Sequence, residues 1–97
     1  MIVKLHMVNG RKILAVCDRS LLGKKFESGN TQLDLTSSFF AGKEVQEHGL
    51  FALFKDVYTI NAVGKKTISF FTRYALISKK KVLRVKGIPC AYVVFVI

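Results

Sequence analysis

Acidic residues are scarce in this 97-residue sequence, and none follows Asp56. Six Asp and Glu residues stand against 16 Lys and Arg residues, which gives a formal charge of +10. Residues 50–97 hold nine basic residues and one acidic residue, a net charge of +8. A surface of this kind repels itself unless a polyanion neutralises it. We expect that polyanion to be a nucleic acid, because phosphate contacts supply most of its sequence-independent affinity for proteins.

Cysteine is also scarce, with only Cys17 and Cys90 present. Two cysteines cannot build a disulfide scaffold, and together with His6 and His48 they lack the close spacing of a zinc site. The carboxylates are scattered and suggest no acid–base pair, so we expect no metal, cofactor or small-molecule substrate. A thiol-dependent enzyme acting through Cys17 or Cys90 stays an alternative, although a reactive thiolate needs a basic or cationic neighbour.

Long hydrophobic runs are absent as well. No apolar run approaches the ~18–20 residues of a membrane span, and the N-terminus lacks the features of a signal peptide. Hydrophobic residues nevertheless make up 51% of the chain, enough for one modest core. We therefore expect one basic domain over residues 1–97, located in the cytoplasm and without a membrane partner.

A β-hairpin is predicted at the N-terminus. Asn9-Gly10 lies between two alternating apolar segments, residues 2–8 and 11–17, and this arrangement is typical of a two-residue hairpin turn. The turn sets Leu5 opposite Leu14, so that the turn register and the apolar pattern agree.

Helical spacing of apolar residues predicts one helix from Glu44 to about Val63 and an amphipathic helix over residues 65–77. Alternation predicts strands over residues 31–35, 82–86 and 91–97, and residues 87–89 are predicted as a turn. The predicted fold class is α+β, a two-layer sandwich. In this sandwich the N-terminal β-hairpin and the C-terminal strands form a sheet, and two central helices pack on one of its faces.

Lys65 and Lys66 lie in the first turn of the second predicted helix, where the helix dipole disfavours cations but free N–H groups bind phosphate. Two lysines at this place are explained if a phosphate is held between them. Arg73 extends the same face of the helix, and further basic residues follow in the next loop and strand. The alternative is a solvated basic face that aids solubility, for which a net charge of ~2–8 suffices. The predicted RNA-binding residues are Lys24, Lys25, Lys65, Lys66, Arg73, Lys79, Lys80, Lys81, Arg84 and Lys86.

The segment Gly64-Lys65-Lys66-Thr67 has part of the pattern of a phosphate-binding loop. The complete pattern needs a glycine five residues before the Gly-Lys pair and a strand in front of it. Thr59 occupies that position and a helix is predicted before it. We therefore exclude nucleotide hydrolysis.

Two groups of short motifs carry a family resemblance. The first group is Cys17-Asp18, Leu21-Leu22-Gly23-Lys24, Phe26, Gly29, Leu33, Phe39-Phe40 and Gly42. The second is Asn61, Val63-Gly64, Val82-Leu83-Arg84 and Gly87-Ile88-Pro89 followed by Ala91. In this order the sequence resembles the archaeal domain-of-unknown-function family 424. The resemblance implies a small archaeal α+β domain that travels with translation components, and it brings no established chemistry.

The sequence departs from the family pattern at three positions. Lys65 stands where the family is usually acidic, and Cys90 and Tyr92 replace a usual His and Gln. The exchange of an acid for Lys65 favours polyanion binding. Among the shared residues, we expect Asp18 to cap the turn at Leu21-Leu22 and Gly64 to adopt a positive φ.

The first function hypothesis is a small RNA-binding protein that is not an enzyme. Most concretely it is a ribosomal or ribosome-associated protein of an archaeon, with neighbouring ribosomal proteins as further partners. Recognition would use RNA shape and backbone rather than bases. Neutralising five to eight phosphates would give a log–log salt slope of roughly −4 to −7. The alternative is a protein-interaction module whose basic face docks an acidic, translation-related partner.

Overall fold

A six-stranded sheet forms the centre of the chain in a computed structural model, which describes residues 1–95. The strands along the chain are β1 (Ile2–Val8), β2 (Arg11–Cys17), β3 (Lys25–Ser28), β4 (Thr31–Asp34), β5 (Lys43–Glu44), β6 (Val57–Val63), β7 (Leu83–Val85) and β8 (Ile88–Val94). The order in the large sheet is β5-β1-β2-β6-β8-β7, and β3 pairs only with β4. Neighbours are antiparallel except β2 and β6, which run parallel.

The N-terminal hairpin has the predicted register. Leu5 pairs with Leu14 and Val3 pairs with Val16 across β1 and β2. Asn9 and Gly10 both adopt a positive φ, as a tight two-residue turn between twisted strands requires. Local turn chemistry and strand alternation specify this element without help from the rest of the chain.

The predicted helix from Glu44 to Val63 is wrong for most of its length. Only Glu47–Leu50 forms an α-helical turn (α1), continued by a 3-10 turn at Phe51–Leu53. Asp56 then adopts a positive φ of 59°, and the chain continues as strand β6. A strand and not a helix therefore precedes Gly64, so the mismatch with a phosphate-binding loop rests on Thr59 in place of the first glycine. The segment from Val57 to Ile60 is rich in β-branched and aromatic residues, which favour a strand, and its helical spacing of apolar residues is a coincidence.

The second helix, α2 (Lys65–Arg73), covers one face of the sheet and ends four residues earlier than predicted. Phe70 and Phe71 are fully buried, in a core shared with strand residues such as Leu14 and Ile60. The helix ends because Ala75 adopts a left-handed φ of 58°, after which the N–H groups of residues 76 and 77 both donate to the Phe71 carbonyl.

The opposite face of the sheet is covered by the β3–β4 ribbon and the 3-10 turn at Ser38–Phe40. Leu35 and Phe40 pack there against Cys17 and Val63. The chain is thus a mixed α/β fold that is mostly sheet. The described residues contain two short α-helices, α1 of four residues and α2 of nine, rather than the two long helices expected. The predicted strand at residues 31–35 exists as β4, outside the large sheet.

The C-terminal hairpin differs in its turn from the prediction. The turn consists of Lys86 and Gly87, both with positive φ, and strand β8 begins at Ile88 within the segment predicted as turn. The end of the strand predicted over residues 91–97 falls on residues 96–97, which lie outside the described residues. Among the described residues, no helix is both long and apolar enough to cross a membrane.

Candidate nucleic-acid interface

Asp18 caps the N-terminus of helix α2. One oxygen of the Asp18 carboxylate accepts a hydrogen bond from the Lys66 N–H at 3.1 Å, and the other accepts from the Thr67 N–H and hydroxyl, each at 2.8 Å. Asp18 is 9% exposed and Thr67 is fully buried. The expectation that Asp18 caps the turn at Leu21-Leu22 is therefore wrong, since that turn has no side-chain cap.

This cap corrects the predicted role of the helix N-terminus. The N–H groups of Lys66 and Thr67 are already used by Asp18, so they are not free to bind a phosphate. The carboxylate also offsets the unfavourable placing of Lys65 and Lys66 near the positive end of the helix dipole.

Gly64 makes the close approach of Asp18 possible. Its φ of 111° is the predicted positive value, and a Cβ atom at this position would lie 2.3 Å from the Asp18 Cγ atom. The Gly64 N–H donates to the Pro89 carbonyl at 2.8 Å, which ties the start of the helix to β8. The start of α2 is therefore positioned by two residues that each follow a strand: Asp18 after β2 and Gly64 after β6.

An open groove lies between α2 and residues 79–84, and we call it the basic groove. Three cations from three different elements line it: Lys65 of α2, Lys79 of the 3-10 turn Lys79–Lys81, and Arg84 of β7. Ser69 and Thr72 line the groove on the helix side. All three cations are exposed, and none forms an ion pair within residues 1–95.

A second depression adjoins the basic groove along α2 and shares Lys65 and Ser69 with it. Lys66 and Arg73 also line this depression, together with Glu47. The Arg73 guanidinium donates to Glu47 at 2.7 Å, and this hydrogen bond raises the pKa of Arg73. Arg73 is therefore already paired, and the predicted stripe of free cations along α2 is shorter than expected.

The remaining predicted residues are distributed over two regions. Lys80 and Lys81 complete the 3-10 turn next to the basic groove, and Lys86 lies in the turn between β7 and β8. Lys24 and Lys25 belong to the ribbon layer on the other face of the sheet, and Lys25 pairs with Glu27 at 3.5 Å. The structure does not bring these two lysines to the basic groove.

Several carboxylates of the chain have partners away from the basic groove. Glu44 pairs with Arg19, and Asp34 accepts from Thr36, hydrogen bonds that lower the pKa of Asp34. With Asp18 at its cap, no carboxylate among the described residues lines the basic groove. The three cations of the basic groove therefore have no carboxylate partner among residues 1–95.

The two cysteines lie on the ribbon side of the sheet, one on each side of Val63 in the strand register. Burial, with a smaller contribution from the charge of Asp18, raises the pKa of Cys17 to about 11. Burial also raises the pKa of Cys90. Both thiols are thus protonated near neutral pH, the opposite of what a thiolate nucleophile needs.

Sequence reasoning missed the groove's geometry because its three cations are 14 and 5 residues apart along the chain. Phe39 and Phe40 both lie in the layer that covers the ribbon side of the sheet. Phe40 is buried, and Phe39 stacks on His6 with ring centroids 4.6 Å apart. No pattern in the sequence signals that stacking contact.

The comparisons with known proteins give a shared fold and a family. The crystal structure of an uncharacterized conserved protein from Methanopyrus kandleri has the same fold, with a TM-score of 0.73 at 20% sequence identity. The match covers 95% of this chain and 88% of that one. None of the curated proteins matches the chain. The model of the family described as protein of unknown function (DUF424) matches residues 6–96, nearly the whole chain, and the chain therefore belongs to that family.

Proposed function

We propose that the chain binds structured RNA through the basic groove. The observation that carries this proposal is the convergence of Lys65, Lys79 and Arg84 from three elements, all exposed and without carboxylate partners among residues 1–95. Solubility alone does not require cations from separate elements to line one concave surface. Binding of a phosphate backbone does require such an arrangement, because successive phosphates need positive charges spaced along a groove.

The character of the groove favours recognition of the RNA backbone. Ser69 lines the groove together with Lys65 and Lys79 and makes no side-chain hydrogen bond within the described residues, so its hydroxyl is available to a phosphate oxygen. The groove is lined by no aromatic side chain that could stack on a base. Lys66, Lys80 and Lys81 flank it and extend the positive surface to both sides. This arrangement recognises the shape and the charge of an RNA backbone rather than its bases.

Within the class of structured RNA, ribosomal RNA is the partner we propose, in a ribosomal or ribosome-associated protein of an archaeon. A net charge of +10 in 97 residues requires a dense polyanion for its neutralisation, and ribosomal RNA offers closely packed phosphates over a large folded surface. Neighbouring ribosomal proteins would then contact the faces away from the groove, and the chain would act in the cytoplasm without catalytic chemistry of its own.

Sedimentation of a native lysate through a density gradient tests this proposal. We expect the chain to migrate with a ribosomal subunit at low salt, and to be released at high salt or after ribonuclease treatment, because phosphate contacts hold it. The variant Lys65→Glu, Lys79→Glu, Arg84→Glu should remain at the top of the gradient. Failure of the wild-type chain to enter the gradient at low salt would contradict the proposal. Association that survives ribonuclease would instead indicate an acidic protein partner.

A further inference from the structure

A second groove lies on the ribbon side of the sheet, opposite the face that carries α2. Apolar side chains line it, among them Leu33 and Phe39 of the covering layer and Leu83 and Cys90 of the sheet. Its volume is about 320 Å³, near the lower limit of ligand pockets, which indicates a small occupant. We call it the ribbon groove.

Two side chains at the mouth of the ribbon groove are unusually exposed for their type. Tyr92 of β8 is 62% exposed and Leu83 of β7 is 68% exposed, although the sheet around them is buried by the ribbon layer. Leu83 pairs with Cys90, and strand alternation places Tyr92 on the same face as both. The sheet therefore presents an aromatic ring and an aliphatic neighbour to whatever enters the groove.

Polar residues complete the lining, namely Gln32 and Asp34 of β4 and Asn61 of β6. Asn61 of β6 pairs directly with Tyr92 across the strands and lines the same groove. Its amide is half-buried, and within residues 1–95 it makes no side-chain hydrogen bond. An amide carries both donors and an acceptor, which is the combination that recognises the edge of a nucleobase.

Positive charge lies next to this lining. The 3-10 turn that ends at Lys81 contacts β8 and lies two residues before Leu83, the first residue of β7. Strand β7 is the outermost strand of the sheet, with Arg84 facing the basic groove on one side and Leu83 the ribbon groove on the other. One RNA strand passing around this edge would contact both grooves.

We propose that the ribbon groove receives one unpaired base of the bound RNA, stacked on Tyr92 and hydrogen-bonded by Asn61, while Lys81 contacts a neighbouring phosphate. This inference rests on the proposed RNA binding and deepens it, because it names the substrate class as RNA with an extruded base. Aromatic stacking platforms beside positive grooves bind single bases in this way.

Binding of two matched RNA hairpins tests the inference. One hairpin carries a single bulged 2-aminopurine, and the other is fully paired. Wild-type protein should bind the bulged hairpin more tightly and quench the 2-aminopurine fluorescence. Tyr92→Ala should lose about 5- to 150-fold in affinity for the bulged hairpin only, with an unchanged salt slope because no charge is removed. Tyr92→Phe should retain most of the affinity.

Tyr74→Ala is the matched control, since Tyr74 is 48% exposed and lies beside Arg73, away from the ribbon groove. It should bind both hairpins as the wild type does. If Tyr92→Ala binds both hairpins as tightly as the wild type, or loses affinity for both by the same factor, the ribbon groove does not bind a base. Salt-dependent binding of the hairpins by the wild type would still support the proposed function. If the wild type binds neither hairpin, the proposed function itself is overturned.

Discussion

Replacing Gly64 with alanine should lower the free energy of unfolding by about 3–5 kcal/mol, a large share of the 5–15 kcal/mol of a typical domain. Two costs combine at this position. The backbone conformation, with φ of 111° and ψ of 157°, lies in a region that glycine alone occupies readily. The added Cβ would also lie 2.3 Å from Asp18 Cγ and displace the cap of α2. Urea denaturation followed by circular dichroism measures the change.

Gly87→Ala is the matched control for this prediction. Gly87 has a positive φ of 77°, but a Cβ atom added there meets nothing within 4 Å. We expect Gly87→Ala to lower the free energy of unfolding by about 1–2 kcal/mol, because only the backbone conformation disfavours alanine there. If Gly64→Ala were no more destabilising than Gly87→Ala, the contact between Asp18 and the helix start would not be as close as described.

Charge reversal in the basic groove should weaken RNA binding by about 100-fold or more near 0.1 M salt, because three phosphate contacts become repulsive. The variant is Lys65→Glu, Lys79→Glu, Arg84→Glu. The three side chains are exposed and form no ion pair within residues 1–95, and Glu is better placed than Lys65 at the start of a helix, so the variant should unfold at no lower urea concentration than the wild type. Fluorescence anisotropy with a labelled structured RNA measures the affinity.

The control carries the same change of charge elsewhere on the surface. Arg11→Glu, Lys43→Glu, Lys55→Glu also reverses one arginine and two lysines, all exposed and none lining the basic groove. If net charge alone attracted RNA, both variants would lose affinity equally. We expect the control to lose far less, and equal losses would show that the groove has no special role.

The contrast between the two helical predictions shows which parts of the fold the sequence determines locally. Helix α2 was predicted because its polar and apolar faces separate cleanly and Gly64 marks its start, although its end depends on the conformation of Ala75. The segment from Val57 to Val63 has helical spacing, yet it becomes a strand because it pairs with both β2 and β8. That pairing links residues about 45 and 30 positions apart, which no local pattern reveals.

The candidate site could be predicted as a set of residues but not as a surface. Charge counting identified Lys65, Lys79 and Arg84, and the structure adds that these three line one groove. The same count of charges included Arg73 and Lys25, but in the structure Arg73 pairs with Glu47 and Lys25 pairs with Glu27. The pair of Arg73 with Glu47 joins segments 26 residues apart and depends on the fold, as does the cap by Asp18, which lies 48 residues from Lys66.

The dependence of RNA affinity on salt concentration tests the central claim most directly, because it counts the phosphates that the cations neutralise. The cations without carboxylate partners around α2 and β7 number seven within the described residues, namely Lys65, Lys66, Lys79, Lys80, Lys81, Arg84 and Lys86. If five to seven of them contact phosphates, the log–log slope should be roughly −4 to −6, and it should become shallower by about three in the groove variant. A flat salt response, or a slope that the groove variant leaves unchanged, would contradict the account.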